Sequence, residues 1–300
     1  MKSKAIVKIC VCGVIALVLI AALVGLIFFG GNWGWPFNLP FANVYADEEA
    51  YHIGNVTTTG EVSRVELYWS SGEIRVSTHE GDEISIHETG EKGEDSRLRW
   101  RLENGVLTIR FAKSGFSFQH PDKTLELELP AATVQQMKIE VASAATMLNG
   151  MELDSLIYDT ASGDLRASDC SFDRVEVDGA SASCTMERCT VGSFDMDAAS
   201  GTAKLNGSVR SISFEAASGN LKVVTDVAPR SIEVDTASGD ADITLPKDAG
   251  FRAEHDAASG DFNVEGFMGN YSGDTFRCGD GSGDYEFDSA SGDVILRAAD

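Results

Sequence analysis

A four-residue signature, Ala-Ser-Gly-Asp or a near variant, returns through the second half of this 300-residue chain at almost constant spacing. Copies stand at Ala161-Ser162-Gly163-Asp164, Ala199-Ser200-Gly201-Thr202, Ala217-Ser218-Gly219-Asn220, Ala237-Ser238-Gly239-Asp240, Ala258-Ser259-Gly260-Asp261 and Ala290-Ser291-Gly292-Asp293. Degenerate copies occupy Ala142-Ser143-Ala144, Ala180-Ser181-Ala182 and Gly281-Ser282-Gly283-Asp284. From Ser143 the serines fall at 162, 181, 200, 218, 238, 259 and 282, in steps of 18 to 23 residues. A period near 20 residues marks a stacked-repeat architecture, because so short a unit cannot bury its own apolar face.

The flanks of the signature alternate. Val175 and Val177, Phe194 and Met196, Ile212 and Phe214, Ile232 and Val234 precede it. Leu165 and Ala167, Ala203 and Leu205, Leu221 and Val223, Ile243 and Leu245, Phe262 and Val264 come after it. Apolar residues at a period of two mean half-buried strands, and no later segment has a helical period. Each unit therefore reads as strand, small-residue corner, strand and return. The chain is predicted to be all-β: a parallel β-solenoid, read as a right-handed β-helix, of 19–21-residue coils stacked at about 4.8 Å. The recurring Ala is expected to point inward at the corner, Gly to supply a positive φ, and the following Asp, Asn or Thr to face water.

Residues 61–130 keep the β rhythm less regularly. Val62, Val65 and Leu67 precede Ser71-Gly72, Ile74 and Val76 come next, and residues 88–97 read as a polar loop. This region is taken as proximal coils and a cap, with a small separate sandwich as the rival reading. Residues 31–60 are expected to form a tether and 131–300 the regular solenoid. Its end near Asp300 would leave a β edge, blunted by Asp288, Asp293, Asp300 and Arg297 or open to a partner strand.

Ile9 to Phe29 is a run of 21 uncharged residues, preceded by Lys2, Lys4 and Lys8. As a helix it would span roughly 31 Å, enough to cross a bilayer. Cations before the span put the N-terminus (residues 1–30 with the anchor) in the cytoplasm and the remainder outside, with Trp33 and Trp35 at the far interface. A cleaved signal peptide ending at Val44-Tyr45-Ala46 is the rival. That site lies 17 residues past Phe29, and the apolar run is long for a signal. The expected localisation is a single-pass cell-membrane protein whose partner through residues 9–29 is the lipid bilayer.

Charge narrows the function further. Lys plus Arg number 24 against 47 Asp plus Glu, a net charge of -23. No basic surface remains to displace counterions from phosphates, so nucleic acid is excluded as a partner. His52, His79, His87, His120 and His255 form no metal-ligand spacing, and no serine sits in a nucleophile elbow. No catalytic residue and no cofactor are predicted. Asp164, Asp240, Asp261 and Asp293 share one repeat phase, with Asp240 and Asp261 expected on neighbouring coils. They form a candidate column for weak calcium binding, or else a solvated acidic edge that keeps the rod soluble. Cys170 and Cys189 are one repeat apart, which makes them candidates for an inter-coil disulfide or for small core residues. Cys184 and Cys278 have no partner by spacing.

The alternating strands, the segment Leu125-Glu126-Leu127-Glu128-Leu129-Pro130 and the spaced Ser-Gly-Asp corners together resemble a candidate-adhesin domain of unknown function in Gram-positive surface proteins. The resemblance covers about residues 60–300. It implies a β-helix similar to the head domain of some autotransporter adhesins, and it supplies no catalytic residues. By this likeness the chain is expected to be an adhesin-like binding or structural module that contacts an envelope polymer or a surface protein. The likeness also implies an alternative, an envelope-stress sensor or regulator. A glycan-active β-helix enzyme is the third reading, and it would need a unique acidic cluster that the even repeat does not show.

Overall fold

The computed structural model describes residues 43, 45–115, 122–131 and 133–299. Apart from two 3₁₀ turns, Glu48–Ala50 and Glu94–Ser96, the secondary structure among these residues is strand, joined into one 20-stranded sheet. Residues 61–130 belong to that sheet and are not a separate sandwich. The expected membrane span, residues 9–29, lies outside the described residues. Among those described, no helix is long and apolar enough to cross a membrane.

One coil shows why the repeat folds as it does. Phe194 and Met196 before the corner, and Ala203 and Leu205 after it, are at most 2% exposed. They stand in parallel register with Ile212, Phe214, Leu221 and Val223 of the next coil. Alternation sends every second side chain inward, and parallel register stacks the same residue class from coil to coil. Each large apolar side chain so buried contributes about 1.5–3 kcal/mol, upper figures for burial measured against an extended chain.

The corner differs from expectation in two respects. The small inward residue is not the recurring Ala but the one before it: Thr160, Ala216, Thr236 and Ser289 are buried there, and they are in register along the stack. Pairing continues through this position, so the inward phase ends one residue earlier than the motif suggests. Glycine is also required for a second reason. A Cβ on Gly201 would lie 1.8 Å from the Ala182 carbonyl oxygen, and one on Gly239 1.7 Å from that of Gly219. Gly239 has a φ of 155°, whereas Gly201 is not among the positive-φ residues. The close approach of the preceding coil therefore excludes a side chain even where φ does not.

Coil order in space departs from chain order at both ends. Strand Arg64–His79 is threaded between Gln136–Asn149 on one side and Val106–Arg110 with Lys123–Pro130 on the other. At the far end, Gly283–Ser291 and Val294–Ala298 lie between residues 231–245 and residues 251–265. Ser291 is thus the corner serine of the last coil, in register with Ser238 and Ser259. Ser282 lies in the return, outside the corner column that its spacing suggested. The last coil is interior, so the open edge expected near the C-terminus is not there.

Antiparallel hairpins cover the true ends. Gly269–Ser272 and Thr275–Cys278 close on Phe251–Ser259. At the other end Arg99–Glu103 pairs with Val106–Arg110, and Glu83–Thr89 pairs with Lys123–Pro130. His52–Ile53 and Val56–Thr59 add to these two cap strands, so residues 52–59, expected in the tether, belong to the cap. Capping of this kind reduces the unpaired backbone to short edges that template association poorly.

Candidate functional site

The most regular surface feature lies before the corner. Glu140, Asp159, Asp178, Asp197, Glu215, Asp235, Asp288 and Asp256 succeed one another along the stack, one per coil. At about 4.8 Å per coil the row extends roughly 34 Å. Lys138 meets its proximal end, 2.6 Å from Glu140 and 3.4 Å from Asp159. Further along, carboxylates face carboxylates. Burial, then the charges of Asp159 and Asp197, push the Asp178 carboxyl up to about 6. Burial followed by acidic neighbours also raises Asp197 and Glu215. Partial desolvation and like charge act in the same direction here, both opposing ionisation.

This row is legible as Asp or Glu two residues before Ala-Ser in every repeat from Glu140 to Asp288. Sequence reasoning missed it because the signature is most conspicuous at the residue after the glycine. That second column behaves differently. The backbone N–H of Asp240 donates to Asn220 Oδ1, that of Asp293 to Asp240 Oδ1, and that of Asp261 to Asp293 Oδ1, each at 2.9 Å. Asp293 therefore separates Asp240 from Asp261, which the spacing had placed on neighbouring coils. The side chains work as a hydrogen-bonded ladder that supplies acceptors to corner N–H groups. Asp164 is in register with Ser183 and pairs with Arg166 at 3.5 Å. Ser183, Thr202 and Asn220 intervene before Asp240, so about 19 Å separates the two. Among the described residues, no three His, Cys, Asp or Glu side chains are placed to share a metal ion.

The four described cysteines are buried thiols. Cys184 occupies the inward column between Leu165 and Ala203, and burial raises its thiol strongly. Cys278 sits in the distal hairpin opposite Phe251 and Gly269. Cys170 and Cys189 stand at equivalent points of successive coils, where the Thr190 N–H donates to the Cys170 carbonyl at 2.9 Å. The histidines are dispersed. His52 packs on Trp100, His79 Nε2 meets the Glu83 carbonyl at 2.8 Å, and His87 Nδ1 meets Asn55 at 3.0 Å. His255 stacks on Phe262, and His120 lies outside the described residues.

One buried ion pair gave no sign in the sequence. Lys123 and Glu88 side chains are 0% and 1% exposed and 2.7 Å apart. The Lys123 ammonium also donates to the Ser96 carbonyl at 2.7 Å and to that of Phe111. It lies against the rings of Trp69 and Phe111. Glu88 Oε1 accepts from the Leu98 N–H at 2.5 Å. All three ammonium protons have acceptors, so this is a structural clamp of the proximal cap, and burial lowers the Lys123 pKa.

A capped parallel stack with repeated side-chain columns defines the chain as a β-solenoid. It belongs to the Toastrack DUF4097 family, whose pattern matches residues 62–297. The chain is similar to a crystal structure of a candidate lipid-binding protein from Parabacteroides distasonis. That likeness has 14% identity and a TM-score of 0.43, over 82% of this chain and 97% of that one. It is also similar to a candidate adhesin from Bacteroides fragilis, with 12% identity and a TM-score of 0.42 over 83% and 97%. A candidate cell adhesion protein from Clostridium sporogenes matches with 8% identity and a TM-score of 0.27 over 83% and 100%. No curated protein matches the chain.

Proposed function

We propose that this protein is a membrane-anchored surface module whose rod acts as an adhesin-like binding or structural element of the cell envelope. The observation that carries the reading is the row of carboxylates from Glu140 to Asp256, one per coil. A repeated face of one charge suits many weak contacts with a long polymer or a broad surface, whose combined strength comes from multivalency. The concavities along the post-corner side, lined by residues such as Asn220, Asp240 and Lys222, are open grooves along the same repeat. The uncharged run at residues 9–29, with lysines only on its N-terminal side, supports anchoring with the rod outside.

Two measurements test this. Protease added to intact cells should remove the rod and spare the N-terminal stub, whereas full protection would refute external placement. Purified chain should sediment with isolated envelope material. Replacing Asp178 and Asp197 by Asn and Glu215 by Gln should weaken that binding severalfold at low salt. Equal binding by the variant would refute the acidic face as the contact surface.

A further inference from the structure

The turn before each of two cysteines has the same form. Asp169 and Arg188 both adopt the left-handed conformation, with φ of 56° and 55°. The Asp169 N–H donates to the Glu187 carbonyl at 3.0 Å. The two side chains also form a two-pronged ion pair, with both contacts at 2.7 Å. These bonds superpose the two turns and set the cysteines after them in matching positions. Cys170 Sγ donates to the Ser168 carbonyl at 3.1 Å, and Cys189 Sγ to the Glu187 carbonyl at 3.4 Å, the carbonyl two residues back in each case. The thiols are therefore oriented alike, and their residues are only 3% and 2% exposed. Equivalent Cα atoms of adjacent coils lie about 4.8 Å apart, inside the range that a disulfide spans. Cys184 lies on the same coil as Cys189 but five residues before it, in the inward column beside Leu165, and Cys278 lies in the distal hairpin.

We propose that Cys170 and Cys189 form a disulfide that staples two adjacent coils. The proposal rests on the extracellular placement argued above, where such a bond persists. The oxidant is a disulfide of the glutathione or oxidoreductase class. Cys189, losing its proton to solvent while the coils are open, is taken as the first nucleophile. Its thiolate attacks the oxidant disulfide, breaking that S–S bond and expelling one thiolate. Cys170 then loses its proton and attacks Cys189 Sγ in the mixed disulfide, expelling the second thiolate. Two protein thiols are oxidised, one oxidant disulfide is reduced to two thiols, and the two protons go with them. Both sulfurs are shielded in the docked stack, so exchange takes place while these coils are open, and the closed bridge resists reductant.

The test refolds the full-length chain, in detergent, in a buffer of reduced and oxidised glutathione, then alkylates it under denaturing conditions. Peptide mapping should find Cys170 joined to Cys189 while Cys184 and Cys278 are alkylated, and C184S should bridge identically. The oxidised chain should melt above the reduced one, and C170S and C189S should each lose that difference. Alkylation of both Cys170 and Cys189, or a bridge to Cys184 or Cys278, would overturn the proposal. A bridge that forms in vitro while the chain in living cells keeps both thiols would instead count against the extracellular placement.

Discussion

The buried Lys123–Glu88 pair gives the sharpest test of how the proximal end is held. Replacing Lys123 by Met keeps the stem volume beside Trp69 and Phe111 but removes the charge partner of a carboxylate that is 1% exposed. An uncompensated buried charge of this kind costs about 3–5 kcal/mol. Adding Glu88→Gln should recover most of that. The Gln Oε1 still accepts from the Leu98 N–H, and its amide N–H groups can serve the Ser96 or Phe111 carbonyl that Lys123 left. The double variant should therefore lie only about 1–2 kcal/mol below the parent, the residue of one carbonyl left without a donor.

Trp69 and Trp100 both lie in this region, so urea unfolding followed by tryptophan fluorescence reports on it once Trp33 and Trp35 are replaced by Phe. A single-variant loss below about 1 kcal/mol, or a double variant as costly as the two singles summed, would show that the pair is not coupled in the way the geometry requires.

The acidic row makes the rod sensitive to pH. Asp178 has a folded pKa of about 6, above its ordinary value of 3.8. The folded state thus holds the proton longer, and stability should fall as pH rises from about 4 to 6, then level off. Asp178→Asn should raise stability at pH 7 by about 1 kcal/mol, since solvent screening reduces the full linkage value. A thermal midpoint unchanged by the substitution at pH 7 would refute the repulsion argument. Gly239→Ala must push a Cβ into the Gly219 carbonyl and should cost about 3 kcal/mol or more, read as a lower denaturation midpoint. A loss below about 1 kcal/mol would mean that the coils separate easily at the corner. Leu296→Ala should cost about 2–4 kcal/mol although it lies near the C-terminus, because its coil is interior, and hydrogen exchange should rise in residues 251–265. The near-neutral response of a frayed terminus would contradict the threaded order.

The regular coils were legible because a 19-residue step returns each residue class to the same face. Phe194, Met196, Ala203 and Leu205 could be placed inward from alternation alone. The acidic row was equally present in the spacing, carried by Asp159, Asp178 and Asp197 at intervals of 19. Coil order was not legible, since the corners at Ser259 and Ser291 present the same motif and either could dock on residues 231–245. The one trace is the 32-residue step between those serines, which holds the distal hairpin in its excess. Lys123 gave no signal. A single lysine opening an alternating strand reads as solvated, and only the convergence of residues 88, 96, 98 and 111 makes it a buried clamp.

Threading the terminal coils inward has a consequence for recognition. At the proximal end the outer backbone is taken up by Arg99–Glu103 and Glu83–Thr89, and at the distal end by Thr275–Cys278. Among the described residues, strand Phe262–Glu265 pairs only with Val294–Ala298, on one side. It is a four-residue edge with Asp261 just before it and Glu265 at its end, and the other strands paired on one side, His52–Ile53, Val56–Thr59 and Gly269–Ser272, are no longer than it. So short and acidic an edge is a poor template for strand addition. On the proposed function, contacts would therefore be made by side chains in columns, where a single substitution removes one of many equal points. Loss of function should consequently accumulate with the number of carboxylates neutralised along the row, rather than appear at any one of them.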